Sequence, residues 1–273
     1  MTRELFPAIL KYWRGRRGLS QLDLALGADV STRHISFLES GRARPSEEMV
    51  LRLASSLGLT LREQNDALRS AGFRPRFGEP ELGEISPAVD WAIGRMLEQQ
   101  EPYPLTVLSR DYKLLRTNRG AARIFELFTA EPSLLSETPD MYALIFDPRL
   151  ARPFIVDWNR VAGSMVARLH REALQDATDP RLGTLLDRVL QYPGVAAQWR
   201  HPDFGTEVDH TLNVWLRRGD LVVGFMTTLT VFSAPRLVTL EEVRLESYFP
   251  LDADTREVCQ RLARYEAHAD LPR

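Results

Sequence analysis

Residues 20–46, Ser20-Gln21-Leu22-Asp23-Leu24-Ala25-Leu26-Gly27-Ala28-Asp29-Val30-Ser31-Thr32-Arg33-His34-Ile35-Ser36-Phe37-Leu38-Glu39-Ser40-Gly41-Arg42-Ala43-Arg44-Pro45-Ser46, decide how this chain is read. Ser20 is placed to cap a helix running through Leu24 and Ala25 to about Ala28. Ser31 is placed to cap the next one, with Ile35 and Leu38 facing inward and Gly41 closing it. Only Asp29-Val30-Ser31 separates the two. So short a turn sets two helices at a steep angle, and Leu24, Ala25, Val30, Ile35 and Leu38 lock the joint from beneath. The second helix then turns its N-terminal face outward, and that face carries Thr32, Arg33, Ser36 and Phe37.

Three more helices flank this pair. Leu5, Ile9, Tyr12 and Trp13 fall at helical spacing, and Gly18 ends that helix. Ser46 is placed to cap a fourth, carrying Met49, Val50, Leu53, Ala54 and Leu57, and a fifth follows Thr60 and ends near Gly72. Helix lengths, turn and the loop Gly41-Arg42-Ala43-Arg44-Pro45-Ser46 together resemble the lambda-repressor-like (XRE-type) helix-turn-helix family over residues 5–71. That family usually has Gly where Asp29 stands, and Asp is one of the few other residues that tolerate positive φ.

The resemblance implies double-stranded DNA as partner, with the third helix in the major groove. Arg33 is then the expected base-reading donor, to guanine O6 and N7, while Thr32, Ser36 and Phe37 supply a hydrogen bond or a thymine-methyl contact. Ser31 and His34 lie on the same end of the helix, His34 either as a phosphate contact or as plain surface. The family implies Gln21 on a phosphate, and Arg42 and Arg44 are expected backbone contacts. Charge agrees with this division. Residues 1–76 hold 13 Lys and Arg against 8 Asp and Glu, or +5, which leaves −7 of the overall −2 for the remaining residues. An anionic partner is therefore expected for the first part alone.

Phe73-Arg74-Pro75-Arg76-Phe77-Gly78-Glu79-Pro80 breaks the helical pattern. It divides a DNA-binding domain over 1–76 from a linker over 77–86 and a second domain over 87–273. The second domain begins with a helix from about Pro87 to Gln99, then two strands around Arg110-Asp111, then a helix over 119–128 that Asn118 can cap. A long helix carries Phe154, Ile155, Trp158, Val161, Ala162, Met165, Val166 and Leu169, and another spans about Pro180 to Leu190. Strands are expected over 208–217, 221–232 and 242–249, and a closing helix over 252–267. The expected fold class is an all-α five-helix lambda-repressor-like domain followed by an α+β PAS-like domain with a mainly antiparallel sheet.

Glu101-Pro102-Tyr103-Pro104, Leu114-Leu115-Arg116-Thr117-Asn118, Phe154-Ile155-Val156-Asp157-Trp158 and Thr239-Leu240-Glu241-Glu242-Val243-Arg244-Leu245-Glu246 resemble the ligand-binding domain of MmyB-like regulators. That resemblance implies an XRE helix-turn-helix joined to a PAS-like sensor of a small apolar molecule, with long-chain fatty acids as proposed ligands. Trp91, Tyr103, Phe125, Tyr142, Phe154, Trp158, Trp199 and Trp215 supply large apolar side chains that would wall a pocket or simply fill the core. Asn118 is open to either reading, and Arg110 or Arg116 would pair with a ligand carboxylate at the mouth.

Other classes are disfavoured. No apolar run approaches the ~18 residues of a membrane span, and the start lacks a secretory pattern, so a cytoplasmic protein is expected. His34, His170, His201, His210 and His268 fall in no metal-ligand spacing, and Asp209-His210 and His201-Pro202-Asp203 have no nucleophile motif beside them. The single cysteine, Cys259, reads as packing. The expectation is a non-enzymatic, ligand-responsive regulator without a cofactor, a homodimer reading a near-palindromic operator. The rival is a constitutive DNA-binding protein whose second domain only dimerises or binds protein.

Overall fold

The structure, a computed structural model, describes residues 5–138, 140–175, 179–201 and 213–264. By internal contacts the chain forms two units, Met1–Leu82 with Ser233–Glu241, and Gly83–Phe232 with Glu242–Arg273.

In the first unit five helices follow the capping residues: α1 (Phe6–Arg16), α2 (Gln21–Gly27), α3 (Thr32–Glu39), α4 (Glu47–Ser56) and α5 (Leu61–Ser70). The side chains of Ser20, Ser31, Ser46 and Thr60 each accept a backbone N–H three residues on, which satisfies a donor that a helix start otherwise leaves orphaned. Asp29 takes φ 51, so the turn adopts the left-handed conformation that its usual glycine would provide. Leu24, Ala25, Ile35 and Leu38 are buried in one cluster, with Val30 packed partly against it. One expectation is corrected. The inward face of α1 is Phe6, Leu10 and Trp13, whereas Leu5 and Tyr12 stay exposed, because a second apolar stripe one residue on packs against the other helices.

Beyond α5 the chain is pinned. The buried Asn65 accepts the backbone N–H groups of Arg76 and Phe77 and donates to the Phe77 carbonyl, at 2.7–3.0 Å. The start of the expected linker is therefore held against the helices. The unit is completed by residues 233–241, placed in the sequence reading between two strands of the second domain. They include most of a short helix, α11 (Val238–Glu242), which alternation had not revealed.

The second unit contains α6 (Pro87–Gln100), β1 (Leu105–Leu108), β2 (Leu114–Thr117), α7 (Arg119–Leu127), α8 (Met141–Phe146), α9 (Trp158–Gln175), α10 (Pro180–Val189), β3 (Asn213–Arg218), β4 (Leu221–Val231), β5 (Arg244–Pro250) and α12 (Ala253–Arg264). The strands form one antiparallel sheet in the order β2-β1-β5-β4-β3. Helix α8 lies between the helices expected over 119–128 and around 154–169, where the sequence pattern gives no element. The expected strand over 208–217 is described only from Asn213, and residues 265–267 of the expected last helix lie outside the described residues, as do Asp203, Asp209, His210 and His268.

Register assigns the faces. Phe225 pairs with Pro250 and Thr227 with Tyr248 across β4 and β5, and Thr106 pairs with Glu246 across β1 and β5. Side chains directly opposite share a face. One face therefore presents Thr106, Leu216, Phe225, Thr227, Glu246 and Tyr248. The opposite face presents Leu105, Val107 and Leu245, all buried, while Trp215 lies across Gly224, where a Cβ would stand 2.5 Å from its ring.

Candidate nucleic-acid interface and ligand cavity

The face expected to read DNA is carried by α3. The Ser31 hydroxyl takes the His34 N–H at 3.1 Å, and Thr32, Ser36 and Phe37 are half-exposed around the helix start. Arg33 is exposed, its guanidinium 5.1 Å from the Phe37 ring centre. Arg42 and Arg44 are exposed in the loop after α3. Other arginines are committed to the fold: Arg14 grips Glu39 through two nitrogens at 2.6 and 3.0 Å, and Arg17 donates to the carbonyls of Leu57 and Gly58. Gln21, which the resemblance places on a phosphate, donates to Glu39 at 2.8 Å, the carboxylate reaching back from the end of α3. Burial pushes the Glu39 carboxyl up, but the Arg14 fork and the Gln21 amide outweigh it and hold it below the usual carboxylate range.

In the second unit, α7, α8, α9 and the sheet enclose an apolar cavity of about 70 Å³. Ile124, Phe125, Phe128, Met141, Leu144 and Met165 are among its walls, and Thr227, Glu246, Tyr248, Tyr112 and Arg168 give it a polar end. Phe125, Met141 and Leu144 also wall a more open cleft of about 350 Å³ beside β2 and the turn at 132–138. Those three side chains are the partition between the two spaces.

The polar end is a network with one unfilled position. Tyr112 donates its hydroxyl hydrogen to Glu172 at 2.8 Å and accepts from Arg244 at 2.6 Å. Glu172 also accepts from Arg244 at 2.9 Å and from the Arg168 Nε at 3.1 Å. Glu246 accepts from the Tyr248 hydroxyl at 3.0 Å. The Nη2 of Arg168 is buried and has no hydrogen-bond partner. Burial pushes the Tyr112 phenol up to about 12. Burial also raises Glu172, but Arg244 and Arg168 outweigh it and hold the carboxyl low. Glu246 shifts upward, because burial outweighs the pull of Arg168, Tyr248 and Arg244. Arg168 and Arg244 thus stand among the carboxyl groups of Glu172 and Glu246 at this end of the cavity.

The residues singled out from sequence fall into two groups. Phe125 and Tyr142 line the cavity. The others lie elsewhere. Trp91 is 69% exposed on α6. Trp158 donates to the Ile145 carbonyl and lies under the Arg152 guanidinium, Phe154 packs on Phe128, and Tyr103 packs at the edge of the same core. Trp199 covers Gly163, and its carbonyl meets His170. Asn118 accepts from Leu105 and Ala121 and donates to Tyr103 and Leu97, so all its bonds are structural. Arg110 pairs with Asp179 and Arg116 with Asp90, rather than facing the cavity. Sequence reasoning missed Tyr112, Arg168, Glu172, Glu246 and Tyr248. A signal existed in Arg168 and Glu172, which share a face of one helix four residues apart, and in Arg244, Glu246 and Tyr248, which alternate along β5.

A helix-turn-helix family model matches residues 10–64. The model of the MmyB-like transcription regulator ligand binding domain matches residues 89–262. The chain matches no curated protein. Among solved structures it is similar to one described as "Structure of an RNA-binding Light-Oxygen-Voltage Receptor", at 12% identity and a TM-score of 0.25, over 96% of this chain and 63% of that one. The chain thus spans less than two thirds of that protein, and the likeness is too slight to bear on function. No helix among the described residues is long and apolar enough to cross a membrane. The two matched segments fall on the helical unit and on the cavity-bearing domain, and the chain belongs to the MmyB-like transcription regulators, joining a helix-turn-helix domain to a ligand-binding domain.

Proposed function

We propose that the protein is a cytoplasmic homodimer that reads a near-palindromic operator and responds to an amphipathic acid of the fatty-acid class held in the second unit. Thr32, Arg33, Ser36 and Phe37 read bases in the major groove, Arg33 on guanine, and Arg42 and Arg44 hold phosphates. Two-fold symmetry places the half-sites about one DNA turn apart. The strand order supports a PAS-like second domain, whose edge strands β2 and β3 offer the dimer surface.

The sensing assignment is carried by the unpartnered Arg168 Nη2 at the end of an otherwise apolar cavity. A buried guanidinium N–H without an acceptor is costly, and a carboxylate head would complete it. At about 70 Å³ the inner chamber holds only the head and first methylenes. The tail therefore passes the Phe125, Met141 and Leu144 partition into the outer cleft. Mass spectrometry of lipid extracted from purified protein tests this. About one acid per chain, or saturable decanoate binding where decanol binds weakly, supports the assignment. An empty domain that ignores a panel of fatty acids favours the constitutive, dimerising reading.

A further inference from the structure

We propose that residues 233–241, the connection between β4 and β5, are the element through which the cavity acts on the DNA-binding helices. The proposal deepens the sensor reading, since it takes the cavity as the place where a signal enters.

Both strands that flank this connection line the cavity, β4 with Phe225 and Thr227 and β5 with Glu246 and Tyr248. Their ladder is continuous to the pair Val231 and Arg244, separated from the segment by one residue before it and two residues beyond it. The segment itself belongs to the first unit. There, the Val238 N–H donates to the Gly78 carbonyl at 3.0 Å, and the Thr239 hydroxyl to the Pro80 carbonyl at 2.6 Å. Glu241 accepts the N–H of Leu61, the first residue of α5, at 2.7 Å. A carboxylate there satisfies an orphan donor and meets the positive end of the helix dipole.

The next residue points the other way in function. Glu242 accepts from Arg181 of α10 at 2.7 and 2.9 Å, within the second unit. Adjacent carboxylates thus anchor one stretch of chain in two different units. Ala234, where β4 hands over to the segment, is held at φ 51, a conformation that a residue with a Cβ adopts only under constraint. A paired ladder transmits displacement along its length rather than absorbing it. Filling the cavity against Thr227 and Tyr248 therefore shifts Thr239 and Glu241 and, through Leu61, the start of α5. Helix α5 packs on α4 and α1, and α1 packs on the reading helix α3.

Hydrogen-exchange mass spectrometry on the full chain tests this without any ligand. Thr227→Phe, or Ala151→Met should the first fail to fold, occupies the cavity with a side chain. Either is expected to change exchange in β4 and β5 and to change that of residues 61–68 at least about threefold. In a background carrying Thr239→Val and Glu241→Ala, the strand effect persists and the α5 effect disappears. The proposal is overturned if α5 is silent while the strands respond, if its response survives in that background, or if neither strand responds to a filled cavity. Decanoate titration of the wild type reports separately on the sensor reading: its failure removes the acid from the cavity and leaves the exchange result standing.

Discussion

Glu246 gives the acid-binding reading its sharpest consequence, because a ligand carboxylate on Arg168 shares an enclosed space with this second carboxyl group. Two negative charges ~5 Å apart repel by about 3 kcal/mol at an effective dielectric near 20. That equals roughly two pK units, added to the upward shift that burial already imposes on Glu246. The ligand therefore binds to the form with Glu246 protonated. Where Glu246 is ionised in the empty cavity, binding takes up one proton and affinity falls by up to tenfold per pH unit as pH rises. Where Glu246 is already protonated, the slope vanishes. Glu246→Gln keeps the shape, removes the charge and should bind decanoate with nearly pH-independent affinity. Decanoate suits the assay because its own carboxyl is ionised throughout. Calorimetric titration at pH 6, 7 and 8, in two buffers of different ionisation enthalpy, gives both affinity and proton count. A Glu246→Gln protein that keeps the wild type's slope refutes the pairing, as does a wild type whose affinity rises with pH.

Other expectations follow from the same contacts. Arg168→Met should weaken decanoate roughly 10- to 100-fold, the worth of a charged hydrogen bond, while leaving decanol binding unchanged in the same titration. Arg33→Ala should cost about 1–3 kcal/mol and relax discrimination at one base pair, whereas Arg44→Ala should weaken all sequences alike and lower the salt slope by about one; fluorescence anisotropy against a selected operator and its point variants separates them, and loss of discrimination in Arg44→Ala with none in Arg33→Ala would reverse the assignment. Glu39→Ala strands Arg14 at a site where the two side chains are 4% and 16% exposed, so the helix unit should lose about 2–3 kcal/mol in hydrogen-exchange stability. Because the Glu39 carboxyl is held low in the fold, its contribution is full above the unfolded value of about 4.3 and disappears as pH falls through the lower folded value. Asp29→Gly relieves the positive φ at the turn and should raise stability by about 0.5–1 kcal/mol in the same experiment; a loss would show that the Asp29 side chain contributes a contact of its own.

Local signals placed the five N-terminal helices of the first unit. Ser20, Ser31, Ser46 and Thr60 cap where their spacing predicts, since capping involves a side chain and a backbone three residues away. The face of α1 was misjudged because Leu5, Phe6, Ile9, Leu10, Tyr12 and Trp13 offer two stripes at helical spacing, and only the neighbouring helices choose between them. In the second unit, aromatic size was a poor guide to the cavity. Trp91 is on the outside, while Trp158, Trp199 and Trp215 found partners in Arg152, Gly163 and Gly224. Arg110 and Arg116 were suggested by their place near the first strands, yet Asp179 and Asp90 claim them.

The sequence by itself determined the five-helix order, the turn at Asp29 and most of the larger domain's described strands, all of which depend on capping, periodicity and alternation within a few positions. Only the tertiary structure decided which polar groups meet. Tyr112, Arg168, Glu172, Arg244 and Glu246 come from a turn, a helix and a strand up to 134 positions apart, and their shared enclosure depends on register and packing. The same holds for residues 233–241, which local pattern assigns to one domain and long-range contact gives to the other. A pattern reports the face a residue presents. Its partner is set by elements that the local sequence does not contain.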